Sequence, residues 1–330
     1  MTTTDEPPGP ATSLDVARLA GVSRSTVSNI LNGNVARFPE STRQRVLSAA
    51  SELDYQPSLA GRSLVSGRSD TIVVLLPNTT FGSNLQDAVD QVMVDTSSIG
   101  GNVVVRFAGS TPKATVSAIM ALRPRALVDF GVLPQVDREY LELRGTIIVP
   151  SLRGDETNSP DGGIAQMQAD ALLENGPRSL WFAALSDQRQ DPFGPGRLVA
   201  LRTYCERHGL PEPKQVRVPL TVDGGIAALS EILEGGQPAG VASYNDDVSL
   251  AILAAARELQ IDVPTMLAVV GVDHTPVGQL WSPPLTTIDT DLRGMVAALA
   301  GELAARLDGQ HVASAGSDAL HIRLIPGGTA

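Results

Sequence analysis

The chain has 330 residues, one cysteine (Cys205) and a formal net charge of −11. That length exceeds one ordinary core and suits a small head with two medium lobes, and a lone cysteine excludes an internal disulfide and fits a reducing compartment. Residues 1–11 are polar and Pro-rich, so a disordered tail is expected there rather than a secretory leader; no apolar run is long enough to span a bilayer, and a soluble, cytoplasmic protein is expected.

The first predicted elements lie in residues 12–64. Thr12 and Asp15, three apart, form a capping-box pattern that starts a helix carrying Val16, Ala17, Leu19 and Ala20. Gly21 supplies a positive-φ turn, and Ser23 caps a second helix running to Leu31. Ala17 is small enough for the second helix to cross closely, and Val27, Ile30 and Leu31 form that helix's buried stripe. Arg24, Ser25, Ser28 and Asn29 are left on the outer face near its start, where a helix-turn-helix reads bases. Two short helices around a glycine also occur as plain structure, so this stretch alone leaves nucleic-acid binding open. Next, Asn32-Gly33-Asn34 reads as a turn. Pro39-Glu40-Ser41 opens a third helix with Val46, Leu47, Ala50 and Leu53 on its apolar face.

The charge is divided unevenly. Residues 12–69 hold seven arginines against four carboxylates, while residues 70–330 hold eighteen basic and thirty acidic side chains. A mildly basic head can find phosphate while the acidic body discourages loose nucleic-acid binding; an acidic body also simply keeps a protein soluble.

Within 12–64 the residues Asp15-Val-Ala, Ala20-Gly-Val-Ser, Thr26-Val-Ser, Leu31-Asn, Thr42-Arg, Val46, Ala49-Ala, Leu53, Tyr55, Pro57, Arg62 and Leu64 stand in order and at fixed spacing. That string closely resembles the head of the lactose/galactose-repressor (LacI/GalR) family. The resemblance implies a DNA-binding head at 12–57 and a hinge helix and linker at 58–69. The DNA-contacting set it implies is Thr12, Ser23, Arg24, Ser25, Thr26, Ser28, Asn29, Arg37, Ser58, Arg62 and Leu64. Arg24 is expected to read guanine, Ser25 and Asn29 to be the next readers, and Thr26 and Ser28 to hold phosphates. Leu64 matches the family's minor-groove wedge, and Gly61 stands where the family prefers Ala, weakening the hinge helix by about 1 kcal/mol. The family dimerises through its body. The end of this chain carries no heptads, so a homodimer on a pseudo-palindromic operator is expected.

From Thr71 the chain alternates β-branched runs with helical stretches. Strands are predicted at Ile72–Leu76, Val103–Phe107, Ala126–Phe130, Thr146–Val149, Leu180–Leu185, Val216–Val218, Val241–Tyr244, Ala268–Val272 and Ile322–Ile325. Helices are predicted at 84–95, 113–122, 163–175, 197–208, 223–234, 247–260 and 291–307. The rhythm argues for parallel sheets covered on both faces. Gly196-Arg197-Leu, Asn245-Asp246-Asp247, Gly271-Val-Asp273 and Pro283-Pro-Leu-Thr-Thr-Ile288 resemble the same family's effector body, itself like periplasmic sugar-binding proteins. The expected fold is therefore α/β: an all-α helix-turn-helix head plus a two-lobed, doubly wound body. Lobe one is placed at roughly 70–157 plus 291–318 and lobe two at roughly 158–290 plus 319–330. Two places depart from the family's pattern. Pro77-Asn-Thr-Thr-Phe81 is shorter than usual, and Asp161-Gly162-Gly163 replaces the common Asp-Asn.

Open α/β sheets bind ligands at the carboxyl ends of their strands. Asn245, Asp246 and Asp273 follow predicted strands, and Arg197 opens a helix after Gly194-Pro-Gly196. A guanidinium and a carboxylate each grip adjacent hydroxyls, and Asn both donates and accepts, so a small sugar-like or polyol effector is expected. Asp273 and Asn245 can equally cap loops. Phe81, Phe193 and Trp281 are the expected aromatic walls, whereas Trp181 lies in an apolar strand and reads as core. No metal or cofactor is expected: His208, His274, His311 and His321 lack ligand spacing, and no nucleophile, Walker or dinucleotide motif is present. These readings favour an effector-responsive transcription regulator, most often a repressor. The alternatives are an enzyme or transport receptor using the same body, or a DNA-binding regulator that needs no small molecule.

Overall fold

The computed structural model describes residues 11–31, 35–55, 70–78, 89–94, 102–151, 160–186, 193–310 and 322–330. The tail at 1–10, the turn at Asn32-Gly33-Asn34, the hinge at 58–69, Phe81, His311 and His321 lie outside the described residues. The chain divides into two compact units, Met1–Asp70 and Thr71–Ala330. No helix among the described residues is long and apolar enough to cross a membrane.

The first unit packs α1 (Ser13–Ala20), α2 (Arg24–Leu31) and α3 (Glu40–Glu52), with a 3-10 turn at Val35–Arg37 before α3. α1 begins as its sequence dictates: the Thr12 amide and hydroxyl donate to the Asp15 carboxylate at 3.0 and 2.6 Å. Gly21 ends it at φ 63, letting the Val22 amide reach the Ala17 carbonyl at 3.0 Å. Val16, Ala17, Ala20, Val27, Ile30, Val46, Ala49 and Ala50 form the core, with Leu31 and Leu53 partly buried around it. Two expected core residues are corrected. Leu19 and Leu47 are 48% and 49% exposed. At about 100° per residue each lies roughly 110° around its helix from the centre of the buried stripe, and Ala49 takes the inward place in α3.

The second unit contains two sheets. The first has the order β2-β1-β3-β4 and is wholly parallel, built from β1 (Thr71–Leu76), β2 (Asn102–Phe107), β3 (Ala126–Asp129) and β4 (Ile147–Val149). Helices α4 (Pro112–Leu122) and α5 (Gln135–Glu142) link its strands. Strands β5 (Ser179–Leu185), β6 (Lys214–Val218), β7 (Ala239–Ser243), β8 (Leu267–Val272), β9 (Thr286–Asp289) and β10 (Arg323–Ile325) form the second sheet, in the order β10-β9-β8-β7-β5-β6. α6 (Pro160–Leu173) precedes these strands, and the helices between them in sequence are α7 (Gly194–Arg207), α8 (Val222–Ile232), α9 (Asp246–Glu258), α10 (Pro276–Leu280) and α11 (Leu292–Leu307).

Three features depart from the expectation. β10 runs antiparallel to β9 at the sheet edge, so the second sheet is not wholly parallel. β9 has no predicted counterpart, because Thr286-Thr-Ile-Asp289 carries one aliphatic side chain. It is buried because its hydroxyls are satisfied internally: Thr287 donates to Asp246 at 2.5 Å, and Thr286 accepts from the Gly327 amide at 3.2 Å. Helices α5 and α10 are also absent from the prediction, one being short and highly charged and the other short and interrupted by glycine. Trp181, 4% exposed, lies in the core as expected.

The chain passes between the sheets three times: after β4, between β9 and α11, and between α11 and β10. Val296, Leu299 and Leu303 of α11 pack on Ile72, Val74, Val128 and Val149 of the first sheet, although β9 and β10 on either side belong to the second. The first passage starts from a polar clamp. Arg138 of α5 pairs with Asp129 at 2.5 Å, both nearly without exposure, and also donates to the Pro150 carbonyl. The Ser151 amide and hydroxyl donate to Glu302 at 2.9 and 2.5 Å, while Arg306 donates to the Ile148 carbonyl at 2.5 Å and the Ser151 hydroxyl at 3.1 Å.

Removing one partner of a buried ion pair leaves an uncompensated charge. Arg138→Met is therefore expected to cost about 3–5 kcal/mol in urea unfolding, and adding Asp129→Asn should recover a large part of it. A loss below about 1 kcal/mol for the single variant would show that Arg138 does not sustain this corner.

Candidate functional site

The outer start of α2 carries the residues expected to meet DNA. Ser23 accepts from the Thr26 amide at 3.1 Å, so it caps the helix, and its hydroxyl lies 2.7 Å from the Ser25 hydroxyl and 2.8 Å from that of Thr26. Arg24 is exposed, and its Nε donates to the Ser13 hydroxyl at 3.0 Å. The Asn29 amide donates to the Ser25 carbonyl at 2.8 Å within the helix. Ser28 is half-buried on the next turn; Thr12 and Arg37 are exposed, one heading α1 and the other closing the 3-10 turn. This face gathers one cation, several hydroxyls and an amide on a helix whose opposite side, Val27 and Ile30, is buried. Ser58, Arg62 and Leu64 lie outside the described residues.

The second group lies at the carboxyl ends of the second sheet's strands. Arg197, in the first turns of α7, is 11% exposed in its side chain. Its Nε sits 3.7 Å from Asp161 of α6, and Nη1 donates to the Tyr244 carbonyl. Its guanidinium carbon lies 5.9 Å from the Phe193 ring centre and 5.2 Å from that of Tyr244. Nε is buried and finds no hydrogen-bond partner among the described residues. A Cβ at Gly196 would fall 2.4 Å from an Asp161 oxygen, so a larger residue there would push that carboxylate aside. Asp161 thus neighbours Arg197, a pairing that the sequence signals only through the departure from pattern at Asp161-Gly162-Gly163. A carboxylate 36 positions from its guanidinium gives no local signal, and only the packing of α6 on α7 joins them.

Asp273 and His274 both hold positive φ, 102 and 49, a conformation that costs non-glycine residues about 1–3 kcal/mol each and is common at ligand sites. The turn is fixed by hydrogen bonds from the Asp273 amide to the Ile288 carbonyl at 2.8 Å and from the His274 amide to the Thr287 hydroxyl at 3.4 Å. The Asp273 carboxyl is pushed up to about 7, first by burial and further by Asp246 and Asp247, with Arg197 pulling the other way. His274 Nδ1 lies 3.7 Å from Asp289, which also pairs with Arg323 at 2.8 Å.

Two expected ligand residues are spent on the protein. Asn245 is 2% exposed and its side-chain oxygen accepts from the Val248 amide at 3.0 Å, capping α9. Asp246 has no exposed surface. Its carboxylate accepts from the Thr275 amide and hydroxyl at 2.6 and 3.0 Å and from the Thr287 hydroxyl at 2.5 Å. It welds α9 to the segment after β8 and to β9, which corrects its expected role as an effector ligand. Trp281 ends α10 half-buried against the second-sheet core, where Phe193 also packs. Phe81 lies outside the described residues. The structure therefore brings Arg197, Phe193, Asp161 and Asp273 to one end of the sheet, a set able to hold a ligand rich in hydroxyls.

Comparison with known proteins agrees with both halves. Residues 12–58 match the profile described as "Bacterial regulatory proteins, lacI family", and residues 169–330 match "Periplasmic binding protein-like domain". The chain is 31% identical over 315 residues to the HTH-type transcriptional regulator GalS of Salmonella typhimurium, covering 88% of each protein. It is 28% identical over 306 residues to the HTH-type transcriptional repressor PurR of Vibrio vulnificus, covering 84% of this chain and 86% of that protein. The fold is that of the Lac repressor dimer crystallised with operator and the anti-inducer ONPF, at a TM-score of 0.79, 22% identity and coverage of 97% and 99% of the two chains. A complex of the regulator CelR with cellobiose matches at a TM-score of 0.62 and 23% identity, covering 97% of this chain and all of that one.

The shifted carboxyl has a pH consequence. The folded pKa of about 7 stands above the ordinary carboxyl value of 3.8, so between those limits the folded state keeps a proton that the unfolded state has lost. The contribution of Asp273 is fully present below pH 4 and is lost as pH rises to 7. Melting temperatures across that range should fall more steeply for the wild type than for Asp273→Asn. Parallel curves would show that Asp273 does not titrate there.

Proposed function

The chain belongs to the lacI family of bacterial regulatory proteins, and from that premise we propose that it is a repressor that binds a pseudo-palindromic operator as a homodimer and answers to a small hydroxyl-rich effector. It is a DNA-binding transcription regulator, and its relatives are regulators rather than enzymes. The observation that carries the DNA-binding reading is the outer face of α2, where Arg24, Ser25 and Asn29 stand opposite the buried Val27 and Ile30. A recognition helix in the major groove presents bases to just such residues. One head offers too little contact for tight specific binding, so two heads acting together account for an operator of two half-sites about one helical turn apart. In this reading residues 12–57 are the head, 58–69 the hinge and 70–330 the effector and dimer body, and the protein works in the cytoplasm beside its DNA.

The effector site lies between the lobes, at the strand ends that carry Arg197, Phe193, Asp161 and Asp273. Arg197 and the two carboxylates would grip adjacent hydroxyls, and the Phe193 ring would cover an apolar sugar face. The cellobiose held by the CelR neighbour supports the sugar class without naming the sugar.

Two measurements test the proposal. A ligand that binds the folded body raises its melting temperature by mass action, so a panel of sugars and polyols should give at least one concentration-dependent rise that Arg197→Ala abolishes. If no panel member does so, the regulator works without such an effector. On the operator, Arg24→Ala is expected to cost about 1–3 kcal/mol and to relax one base position per half-site. Equal weakening on all sequences would instead make Arg24 a phosphate anchor.

A further inference from the structure

We propose that Ser13 is a positioning residue for sequence reading, its hydroxyl holding Arg24 with the outer fork of the guanidinium turned toward the base edges. The inference rests on the reading of Arg24 as the residue that meets a base.

Arg24 starts α2 on an exposed surface, and a free arginine there would sample many rotamers and lose that freedom on binding. Among the described residues its hydrogen-bond partner is the Ser13 hydroxyl, 3.0 Å from Nε and eleven positions away in the sequence. The choice of nitrogen matters. Nε is the donor nearest the chain, so a tether there leaves Nη1 and Nη2, the terminal edge of the fork, to face guanine O6 and N7 together.

The other end of the tether is fixed. Ser13 is the first residue of α1, immediately after Thr12, whose amide and hydroxyl are both held by Asp15. α1 is locked against α2 by Val16, Ala17 and Ala20 packing with Val27 and Ile30. The hydroxyl therefore occupies a set place relative to the start of α2. The neighbouring readers are held in the same way, Ser25 by the Ser23 hydroxyl at 2.7 Å and Asn29 by the Ser25 carbonyl at 2.8 Å. The face is arranged before DNA arrives, and Ser13 contributes to it from the first helix rather than the second.

The experiment uses the full chain and a set of duplexes in which each half-site base pair is replaced in turn, with a random duplex as the non-specific reference. Ser13→Ala should reduce the preference for the matched base at the Arg24 position by about three- to tenfold, the worth of one ordinary solvent-exposed hydrogen bond. Its affinity for the random duplex and its salt slope should stay at the wild-type values. Ser13→Thr, which keeps the hydroxyl, should restore the preference, and Ser13→Ala should have no further effect in an Arg24→Ala background. Unchanged discrimination in Ser13→Ala, with Arg24→Ala losing it, overturns the positioning role and leaves the base-reading assignment standing. Uniform weakening of Ser13→Ala on every duplex, together with a lowered melting temperature, makes Ser13 merely structural for α1 and also overturns it. Should Arg24→Ala itself discriminate as well as the wild type, the base-reading assignment falls and takes the inference with it.

Discussion

A carboxylate with no exposed surface organises the ligand-binding end of the body. Asp246 opens α9, where the helix dipole favours a negative charge, and three donors from Thr275 and Thr287 satisfy it in place of water. Burial raises its pKa, and the hydrogen bonds oppose that rise. The surroundings are cut to fit: a Cβ at Gly271 would fall 2.2 Å from one carboxylate oxygen, and one at Gly278 would sit 3.2 Å from the other. One side chain thus holds α9, α10 and β9 together around the turn at Asp273 and His274. The positive φ of both residues persists because that frame over-determines it. Asp246 is consumed by these bonds, while Asp273 sits on the strained turn that they hold in place.

The division of labour between those two aspartates explains why some of the site could be read from the sequence and some could not. Asp246 and Asp273 look equally suited to a sugar hydroxyl when each is seen only as a carboxylate after a strand. What separates them is Thr275 and Thr287, and Thr287 lies in β9, a strand without the aliphatic pattern that marks a buried one. Missing β9 therefore also meant missing the partner of Asp246. Asp161 was hidden for a related reason. Its partner Arg197 is far along the chain, and the cue is steric, in the absence of a side chain at Gly196. In the head the reverse holds. Thr12, Asp15, Gly21, Ser23, Val27 and Ile30 act within a few residues of themselves, through caps, a left-handed turn and a helical stripe, so their roles were legible locally. Leu19 and Leu47 were misplaced because an apolar residue at the edge of a stripe is not distinguished by composition from one at its centre.

The body couples its sheets through exchanged elements rather than through one shared core. α11 packs on the first sheet while the strands before and after it lie in the second. Pro150 and Ser151, at the start of the first passage, are bound to Arg138, Glu302 and Arg306. Those bonds tie the end of β4 to both α5 and α11, so the strand end is held from two sides where the chain leaves the first sheet.

Charge completes the separation between finding DNA and reading it. Seven arginines and four carboxylates in residues 12–69 give that unit a modest attraction for phosphate, and the thirty acidic against eighteen basic side chains from residue 70 onward oppose it elsewhere. That attraction is independent of sequence and so cannot choose one site on a chromosome over another. Specific contacts must supply that choice, and the groups α2 offers for them are one arginine and a set of neutral hydroxyls and an amide. Neutral hydroxyls and amides add nothing to the long-range field, so they discriminate between sequences without strengthening the hold on every sequence. The same economy applies to orientation. In the positioning role proposed for it, Ser13, itself uncharged, would sharpen what Arg24 distinguishes while leaving unchanged what its charge attracts.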